Sequence, residues 1–237
     1  MKQLGSVVVV GCGGIGCYLI PPLSAILGEI WGDNVSLTLI DGDTVSERNL
    51  VRQPLFSPES VGSNKTIVIK NTIEMRIAPI QVKAIPNFLG NVLLPNNTVT
   101  VFCSADNHGT RNRCLEEADR VGCWCFIGAN EDKQAEAYCY SPEWKGTDKD
   151  PRTYYPELTE KDVYDPSLAI HCEDHSYQSA VSNNLAAAYM LQLYRSMFST
   201  GGDRTIMEIE LPYRINSTLH TIQTTPTYIG DTYVTTD

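Results

Sequence analysis

The start of the chain, a run of β-branched residues that ends in a glycine-rich turn, constrains the fold more than any other feature. Gly5–Val10 (GSVVVV) is continuously apolar, which is typical of a strand buried on both faces. Gly11–Gly16 (GCGGIG) follows directly, and the helical pattern of Ile15–Ile30 begins within it. A strand, a glycine turn and a helix in this order predict the first unit of an α/β sheet. We expect Pro21 and Pro22 to kink or shorten this helix.

Strand and helix patterns continue to alternate as far as the middle of the chain. Helical spacing of apolar residues covers Ser60–Met75 and Thr110–Val121. The further strand-like runs are Val35–Ile40, Gln81–Ile85, Thr98–Cys103 and Cys123–Ile127. This order favours parallel strands joined by right-handed crossovers, so the expected fold class is α/β, a doubly wound and mainly parallel Rossmann-like sheet.

The second half of the chain has a different pattern. Ser141–Pro166 is polar and contains four prolines, and it is long enough to be a functional loop. Helical spacing returns in Ser176–Phe198, and the Thr-rich alternation of Arg204–Asp237 predicts antiparallel strands at one edge of the sheet. No linker separates these parts, so we expect one domain made of two halves, 1–130 and 131–237.

Composition argues against several kinds of protein. The formal net charge of -10 disfavours non-specific binding to nucleic acid or to an anionic membrane. No apolar run approaches the length needed to cross a bilayer, and the N-terminus lacks a signal-cleavage pattern. Several of the eight cysteines fall in strand-like runs, which favours reduced thiols, and no CxxC pair predicts a zinc site. We expect a cytoplasmic protein with neither nucleic acid nor membrane as a partner.

The glycine-rich turn predicts a phosphate site, because absent side chains let backbone N–H groups approach an anion at a helix N-terminus. Asp41 follows the second strand, where its carboxylate can accept from both hydroxyls of a ribose. Taken alone, the turn is equally compatible with a tight strand-to-helix connection or with the dinucleotide site of an NAD- or FAD-dependent oxidoreductase. The glycines expected to lie against the nucleotide are Gly11, Gly13, Gly14 and Gly16.

The segment after Asp41 has no role in hydride transfer. Residues 41–56 read DGDTVSERNLVRQPLF, and Val61-Gly62 and Lys65 follow. This run closely resembles the DxDxVxxxNLxRQxLF…VGxxK signature of the ThiF, MoeB and ubiquitin-activating enzyme family. The resemblance implies ATP as the nucleotide, bound in part through Asp43 and Gln53. It also implies that Asn49, Arg52 and Lys65 stabilise the charge that moves from an attacking carboxylate to a pyrophosphate leaving group. Taken singly, each cation could instead be a solvated surface charge.

A third match lies after the strand-like run that ends at Cys103. Ser104-Ala105-Asp106-Asn107, followed by Arg111, resembles the S-x-D-N-x-x-x-R segment of the same family. The resemblance implies that Asp106 is a catalytic residue that holds Mg²⁺ and that Asn107 and Arg111 contact the nucleotide. One carboxylate is enough, because Mg²⁺ takes its other ligands from phosphates and water. Asp106 could instead cap the next helix.

The motifs together imply an activity. In the resembling family, ATP and a protein C-terminus that ends in Gly-Gly combine to give an acyl-adenylate. The resemblance, close over 1–130 and loose beyond, therefore implies an adenylyltransferase whose partner is a small β-grasp ubiquitin-like or sulfur-carrier protein. It also implies a homodimer. A catalytically idle module that holds a ubiquitin-like partner is the main alternative.

Cys172 resembles in position the cysteine that takes the acyl group from the adenylate in many relatives, so it is a candidate for thioester formation. A helix N-terminus and the neighbouring His171 and His175 could favour its thiolate, although Glu173 and Asp174 oppose it. A bystander role is the alternative. The other thiols are poorer candidates, since Cys12 and Cys17 flank the glycine turn and burial should raise the pKa of Cys103, Cys123 and Cys125.

One feature of the family is missing from its usual place. Many relatives carry an arginine for the ATP phosphates in a helix that precedes the first strand, whereas here the first strand begins by Gly5. The resemblance therefore leaves three possibilities: another arginine substitutes, a partner protein supplies one, or adenylation is slow. The candidates within the chain are Arg48, Arg111 and Arg113.

Overall fold

A seven-stranded mixed sheet forms the centre of the part of the chain that the structure describes. The structure, a computed structural model, describes residues 5–76, 80–130, 134–159, 179–196, 214–218, 228–229 and 232–233. The sheet has the order β3-β2-β1-β4-β5-β6-β7. Its strands are β1 Gly5–Val10, β2 Val35–Ile40, β3 Gln81–Ile85, β4 Thr98–Cys103, β5 Trp124–Asn130, β6 Gln134–Tyr140 and β7 Arg214–Thr218.

The first five strands are parallel, and the last two join antiparallel to that block. Short strands β8 (Tyr228–Ile229) and β9 (Thr232–Tyr233) pair antiparallel with each other. The α-helices in the described ranges are α1 Gly14–Trp31, α2 Lys65–Arg76, α3 His108–Val121, α4 Pro151–Tyr154 and α5 Ala180–Ser196. The expected fold class, a doubly wound α/β sheet with an antiparallel extension, is confirmed.

The alternation of side chains along the central strands builds one apolar layer on each face of the sheet. Val7 and Val9 face α1, α2 and α5, whereas Val8 and Val10 face α3. Because both faces are covered, β1 is buried at every position, as its continuous apolar sequence predicts. The helices thereby fix the carboxyl ends of β1, β2 and β4 at one edge of the sheet.

Helix α1 corrects two expectations. It runs unbroken through Pro21 and Pro22, so the prolines do not shorten it. Packing explains this, since Leu19 and Leu23 are fully buried on either side of the prolines and hold the helix against the sheet and α5. With its 18 residues, α1 is also long and apolar enough to cross a membrane by length and composition alone, contrary to the sequence expectation. Its buried face is that of a core helix.

The second half of the chain differs in detail from the expectation. Strand β6 is missed by sequence reasoning, because QAEAYCY is poor in β-branched residues. Within Ser141–Pro166, residues up to 159 form short helical turns that include α4. Helix α5 lies inside the predicted helix, and β7 confirms an antiparallel strand at the edge. The single-domain organisation stays a prediction.

Candidate active site

The candidate site lies where the chain direction changes across the sheet, between the carboxyl ends of β1 and β4. The connection after β1 leads through α1 to β2 on one side, and the connection after β4 leads through α3 to β5 on the other. Such a switch point opens a crevice in α/β sheets. Ser104 links the ends of β4 and β1 at the base of this crevice, because its hydroxyl donates to the carbonyl oxygen of Gly11 at 2.6 Å.

The glycine turn allows a close approach between backbones. Gly11 has φ +93°, and a Cβ there would lie 2.9 Å from the backbone nitrogen of Ala105. A Cβ on Gly16 would lie 2.5 Å from the carbonyl oxygen of Gly11, so α1 packs directly beneath the turn. These two contacts explain why the turn needs glycine, and they leave the backbone N–H groups at the start of α1 beside the crevice.

Asp41 braces the turn from the end of β2. Its carboxylate accepts from the backbone N–H of Cys12 at 2.6 Å and from that of Asp43 at 2.8 Å. Burial raises the pKa of Asp41, and the effect of nearby Lys65 and of the two N–H groups only partly offsets this. The predicted ribose ligand is therefore at the edge of the crevice, with both oxygens already engaged by the backbone.

Lys65, the first residue of α2, points back towards the ends of the strands. Its Nζ donates to Asp43 at 2.9 Å, and its side chain is 9% exposed while that of Asp43 is 55% exposed. Burial alone would lower the pKa of Lys65, but Asp41 and Asp43 outweigh it and the net pKa is raised. The structure thus holds a buried ammonium beside two carboxylates at the crevice, with one of those carboxylates open to solvent.

Asn64 is a site residue that sequence reasoning missed. Its amide donates to the carbonyl oxygens of Asp41 at 3.0 Å and of Asp43 at 2.9 Å. Its carbonyl oxygen accepts from the backbone N–H of Thr66 at 2.9 Å, at the start of α2. Asn64 therefore locks the loop that carries the two aspartates to the helix that carries Lys65. Its position gave no separate signal, because Asn64 lies inside the helical pattern of Ser60–Met75, whereas α2 begins one residue after it.

Asn49 has a structural contact in this chain. Its side-chain oxygen accepts from the backbone N–H of Ser46 at 2.9 Å and from the Ser46 hydroxyl at 3.1 Å. This closes a capping box on the short helical turn Glu47–Asn49. The predicted catalytic amide therefore also sets the shape of the loop that leads to Arg52.

Arg52 and Gln53 bring buried polar atoms without partners to the site. Arg52 Nε and Gln53 Oε1 have no hydrogen-bond partner, although both atoms are buried. Gln53 lies beside the turn, since its Nε2 is 3.9 Å from where a Cβ of Gly13 would be. Buried polar groups are almost always paired in folded proteins. These two orphans indicate groups that await a ligand: Arg52 Nε, a donor, fits a phosphate oxygen, and Gln53 Oε1, an acceptor, fits a hydroxyl or amino group.

The three residues predicted at the loop after β4, which are Asp106, Asn107 and Arg111, lie in different environments. Asp106 is exposed and makes no hydrogen bond or ion pair with the described residues, while Asn107 caps α3 by accepting from Thr110 N–H at 2.7 Å. The alternative role considered for Asp106, capping the next helix, belongs to Asn107 one residue later. Arg111 lies beneath the loop, where its Nε donates to the carbonyl oxygen of Ala105 at 3.2 Å. It supports the loop that presents Asp106.

Comparison with known proteins assigns the chain to a family. The model of the ThiF family matches residues 2–230. The chain belongs to the ThiF family. Among curated proteins, the adenylyltransferase and sulfurtransferase uba4 of Sclerotinia sclerotiorum is 41% identical over 66 residues, which are 28% of this chain and 13% of uba4. With the family assigned, the glycine turn no longer favours a NAD or FAD oxidoreductase.

Solved structures with the same fold include two of E. coli MccB. MccB with ATP has a TM-score of 0.59 at 26% identity, with 80% of this chain and 54% of MccB covered. MccB with MccA has a TM-score of 0.65 at 25% identity, with coverage of 91% and 61%. PaaA, with a TM-score of 0.57 at 17% identity and coverage of 92% and 64%, shares the fold. This ThiF-family chain spans little more than half the length of MccB.

The thiols of this ThiF-family chain that the structure describes are all buried and unpaired. Burial raises the pKa of Cys12 and Cys125, and it raises the pKa of Cys17 and of Cys123 to about 12. The expectation for Cys103 is wrong, because a hydrogen bond with the Cys114 thiol outweighs burial and lowers its pKa. Cys172, with its flanking histidines, lies outside the described residues.

The three arginines considered for the ATP phosphates differ in position. Arg113 pairs with Glu116 at 3.0 Å and with Glu117 at 3.4 Å on the outer side of α3. Arg111 supports the β4–α3 loop from beneath, and Arg48 is exposed on the loop before Arg52. Neither Arg111 nor Arg113 is presented to the crevice as a spare cation.

Proposed function

We propose that this ThiF-family chain uses ATP to adenylate the C-terminal carboxylate of a small peptide or protein. The main support is the set of buried, unpartnered donors and acceptors at the switch point of the sheet, which fits the phosphate acceptors and the hydroxyl and amino donors of a nucleotide. The family, and the relatives uba4 and MccB with ATP, agree with this choice. The finer proposal for the acceptor is a β-grasp ubiquitin-like or sulfur-carrier protein that ends in Gly-Gly.

The nucleotide would lie across the carboxyl ends of β1, β2 and β4. Phosphate oxygens would accept from the backbone N–H groups of the glycine turn at the positive end of α1. Asp41 would accept from the ribose through the lone pairs that Cys12 and Asp43 leave available. The ring of Phe88 packs directly over Gly42, where a Cβ would lie 2.4 Å from it, and offers an apolar surface beside Asp41 for the adenine.

The chemistry needs an attacking carboxylate and a leaving pyrophosphate. A carboxylate oxygen of the acceptor bonds to the α-phosphorus, and the bond from that phosphorus to the bridging oxygen breaks with its electron pair on pyrophosphate. Arg52 and Lys65 would stabilise the charge that accumulates on the phosphates. Asp106, exposed and without a partner, would hold Mg²⁺, whose role is to neutralise charge on the phosphate oxygens. Activity should therefore depend on these three residues.

Transfer to Cys172 is the second step of the proposal. Its thiolate would attack the carbonyl carbon of the acyl-adenylate, and AMP would leave with the electron pair. Cys172 is the remaining candidate for this step, because burial raises the pKa of most of the described thiols and covers the others. A thiol-sensitive conjugate that Cys172→Ser abolishes or converts to an oxyester, while adenylation continues, is the expected result.

ATP–pyrophosphate exchange tests the first step. The acceptor is a small β-grasp protein that ends in Gly-Gly, and the matched control is the same protein with a C-terminal carboxamide in place of the carboxylate. Exchange with the carboxylate form and none with the amide is expected, because only the carboxylate can attack phosphorus. Exchange that proceeds without any acceptor, or equally with the amide, contradicts carboxylate adenylation.

A non-catalytic binding module is the second candidate function. It is favoured by the contacts that Asp41, Asn49 and Lys65 already make within the chain, since groups engaged in this way are also found in purely structural loops. This candidate predicts a complex with the β-grasp protein that does not depend on ATP and shows no exchange. We further propose that the protein is cytoplasmic and that two copies assemble, with sedimentation as the measurement for the dimer.

A further inference from the structure

Asn183, in the first turn of α5, lies against the glycine turn. A Cβ on Gly14 would be 2.5 Å from the side-chain oxygen of Asn183 and 2.6 Å from its nitrogen. The amide therefore occupies the space that any larger residue at Gly14 would need. Asn183 is completely buried, and the packing of α5 on α1 and β5 fixes its position.

A hydrogen-bond relay orients this amide. The side-chain nitrogen of Asn130, at the carboxyl end of β5, donates to Asn183 Oδ1 at 3.0 Å and to the Ser182 hydroxyl at 3.2 Å. The backbone N–H of Asn183 donates to the carbonyl oxygen of Ser179 at 3.1 Å. Because Asn183 Oδ1 accepts from Asn130, Asn183 Nδ2 is the side-chain polar atom that remains to be paired. It is buried and has no hydrogen-bond partner.

The groups around Asn183 Nδ2 are suited to binding an anion. The start of α1 contributes backbone N–H groups and the positive end of the helix, and the side chain of Lys65 lies at the same edge of the sheet. A buried donor without an acceptor is unfavourable, and donors from several elements that converge on one turn call for an acceptor. A phosphate oxygen at the turn supplies one.

We propose that Asn183 donates its Nδ2–H to a phosphate oxygen of the nucleotide bound at the glycine turn. The inference rests on the proposed function and adds α5 to the elements that bind the nucleotide. Because the nitrogen is covered in the ligand-free chain, entry of the phosphate requires Asn183 and Gly14 to move slightly apart. Asn183 is then a specificity residue for phosphorylated nucleosides over free nucleosides.

Asn183→Asp separates this role from a structural one. The carboxylate has the same shape and still accepts from Asn130, and the N-terminus of α1 offsets part of the cost of burying its negative charge. The same charge repels phosphate. We expect the Kd for ATP to rise about a hundredfold, with an unchanged Kd for adenosine and a lower Tm, because the new charge is buried. Titration calorimetry and thermal unfolding measure these quantities.

Asn184→Asp is the matched control, because it makes the same charge change at the next position of α5 on an exposed side chain. It should leave both affinities unchanged. The inference is overturned if Asn183→Asp binds ATP as tightly as the wild type, or if it loses ATP and adenosine equally. If Asn183→Asp does not fold, Asn183→Ser must show the same preference for adenosine. A wild-type chain that binds no ATP would instead overturn the proposed function, and this inference with it.

Discussion

Two arginines show how differently this chain treats polar groups in two regions of the fold. Arg152, in α4, donates to Asp150 at 2.8 Å, to Asp119 at 3.1 Å and to the Tyr140 hydroxyl at 2.6 Å. Arg52, in the loop before α2, has a buried Nε with no partner. The first region saturates its polar groups, whereas the second leaves them open.

We interpret the Arg152 region as a structural tie, a cluster that holds two segments of the fold together, and the Arg52 region as the proposed ligand site. The cluster around Arg152 joins the segment after β6 to α3, and Tyr140 also donates to Asp119 there. The side chains of Arg152, Asp119 and Tyr140 already have hydrogen-bond partners within that cluster. Beside the glycine turn, by contrast, Arg52, Gln53 and Asn183 each bury an unpaired atom. A ligand that forms hydrogen bonds with these three atoms would gain binding free energy, because the fold itself supplies no partner for them.

The largest effect is expected from Arg52→Ala. The proposed function assigns Arg52 to the phosphates rather than to the fold, so ATP–pyrophosphate exchange should fall about 10²- to 10³-fold while the Tm stays nearly constant. The exchange assay and thermal unfolding test the two halves of this statement.

Lys70→Ala provides the control for Arg52→Ala. Lys70 is a cation on the exposed side of α2 and pairs with Glu74 at 2.5 Å. Its removal should leave exchange at the wild-type rate. An Arg52→Ala protein that retains full exchange, or that loses activity only by unfolding, removes the distinction between the two arginines.

Arg152→Ala should show the opposite pattern. The change leaves Asp150 without its cation and Asp119 with only the exposed Lys145, in a site where the Arg152 and Asp150 side chains are 14% and 4% exposed. We expect a loss of about 3 kcal/mol in the free energy of unfolding, which lowers the Tm by about 6–12 °C. Exchange per folded molecule should be unchanged. Denaturant titration measures the first quantity.

Lys145→Ala is the matched control within the same cluster. Lys145 also pairs with Asp119, at 2.8 Å, but its side chain is 63% exposed. An exposed pair of this kind contributes about 0–1 kcal/mol and weakens in salt. If Lys145→Ala costs as much as Arg152→Ala, the cluster owes its stability to net charge rather than to the saturated contacts of Arg152.

The sequence predicted most of the α/β core, because its signals are local. The bounds of β1, β2, β3 and β4 match the strand-like runs of apolar and β-branched residues, which stop at glycine, proline or polar residues. Strand β6 escaped, since its Ala and Glu residues have low strand propensity and it forms only by pairing with β5. The continuity of α1 was not predicted either. Burial of its leucines outweighs the helix-breaking effect of two prolines, and periodicity does not measure that burial.

The site divides in the same way. Motif spacing brought the glycine turn, Asp41 and Lys65 together correctly at one edge of the sheet. It missed Asn64 and Asn183, because their importance depends on contacts across the fold rather than on spacing. The nucleotide contact of Arg111 stays a prediction, and in the structure its Nε donates to the carbonyl oxygen of Ala105 in the β4–α3 loop.

The smallest effects distinguish the two regions by pH. Burial would raise the pKa of Asp119, but hydrogen bonds from Lys145, Tyr140 and Arg152 lower it overall. Its contribution to stability is therefore complete above a pH of about 3.9 and is lost as the pH falls through the folded pKa. Burial raises the pKa of Asp41, so its carboxylate is disfavoured in the fold, and stability is lost as the pH rises from about 3.9 through the folded pKa.

Asp119→Asn and Asp41→Asn should therefore change the pH dependence of unfolding in opposite senses. In denaturant titrations from about pH 3 to pH 7, the free energy of wild type minus Asp119→Asn should increase with pH. The same difference for Asp41→Asn should decrease, because the variant lacks the carboxylate that is forced to ionise in a buried place. Slopes of the same sign would mean that Asp41 is as well compensated by Lys65 and the backbone as Asp119 is by Arg152. The glycine turn would then be as saturated as the structural tie, and the unpaired atoms beside it would no longer mark a ligand site.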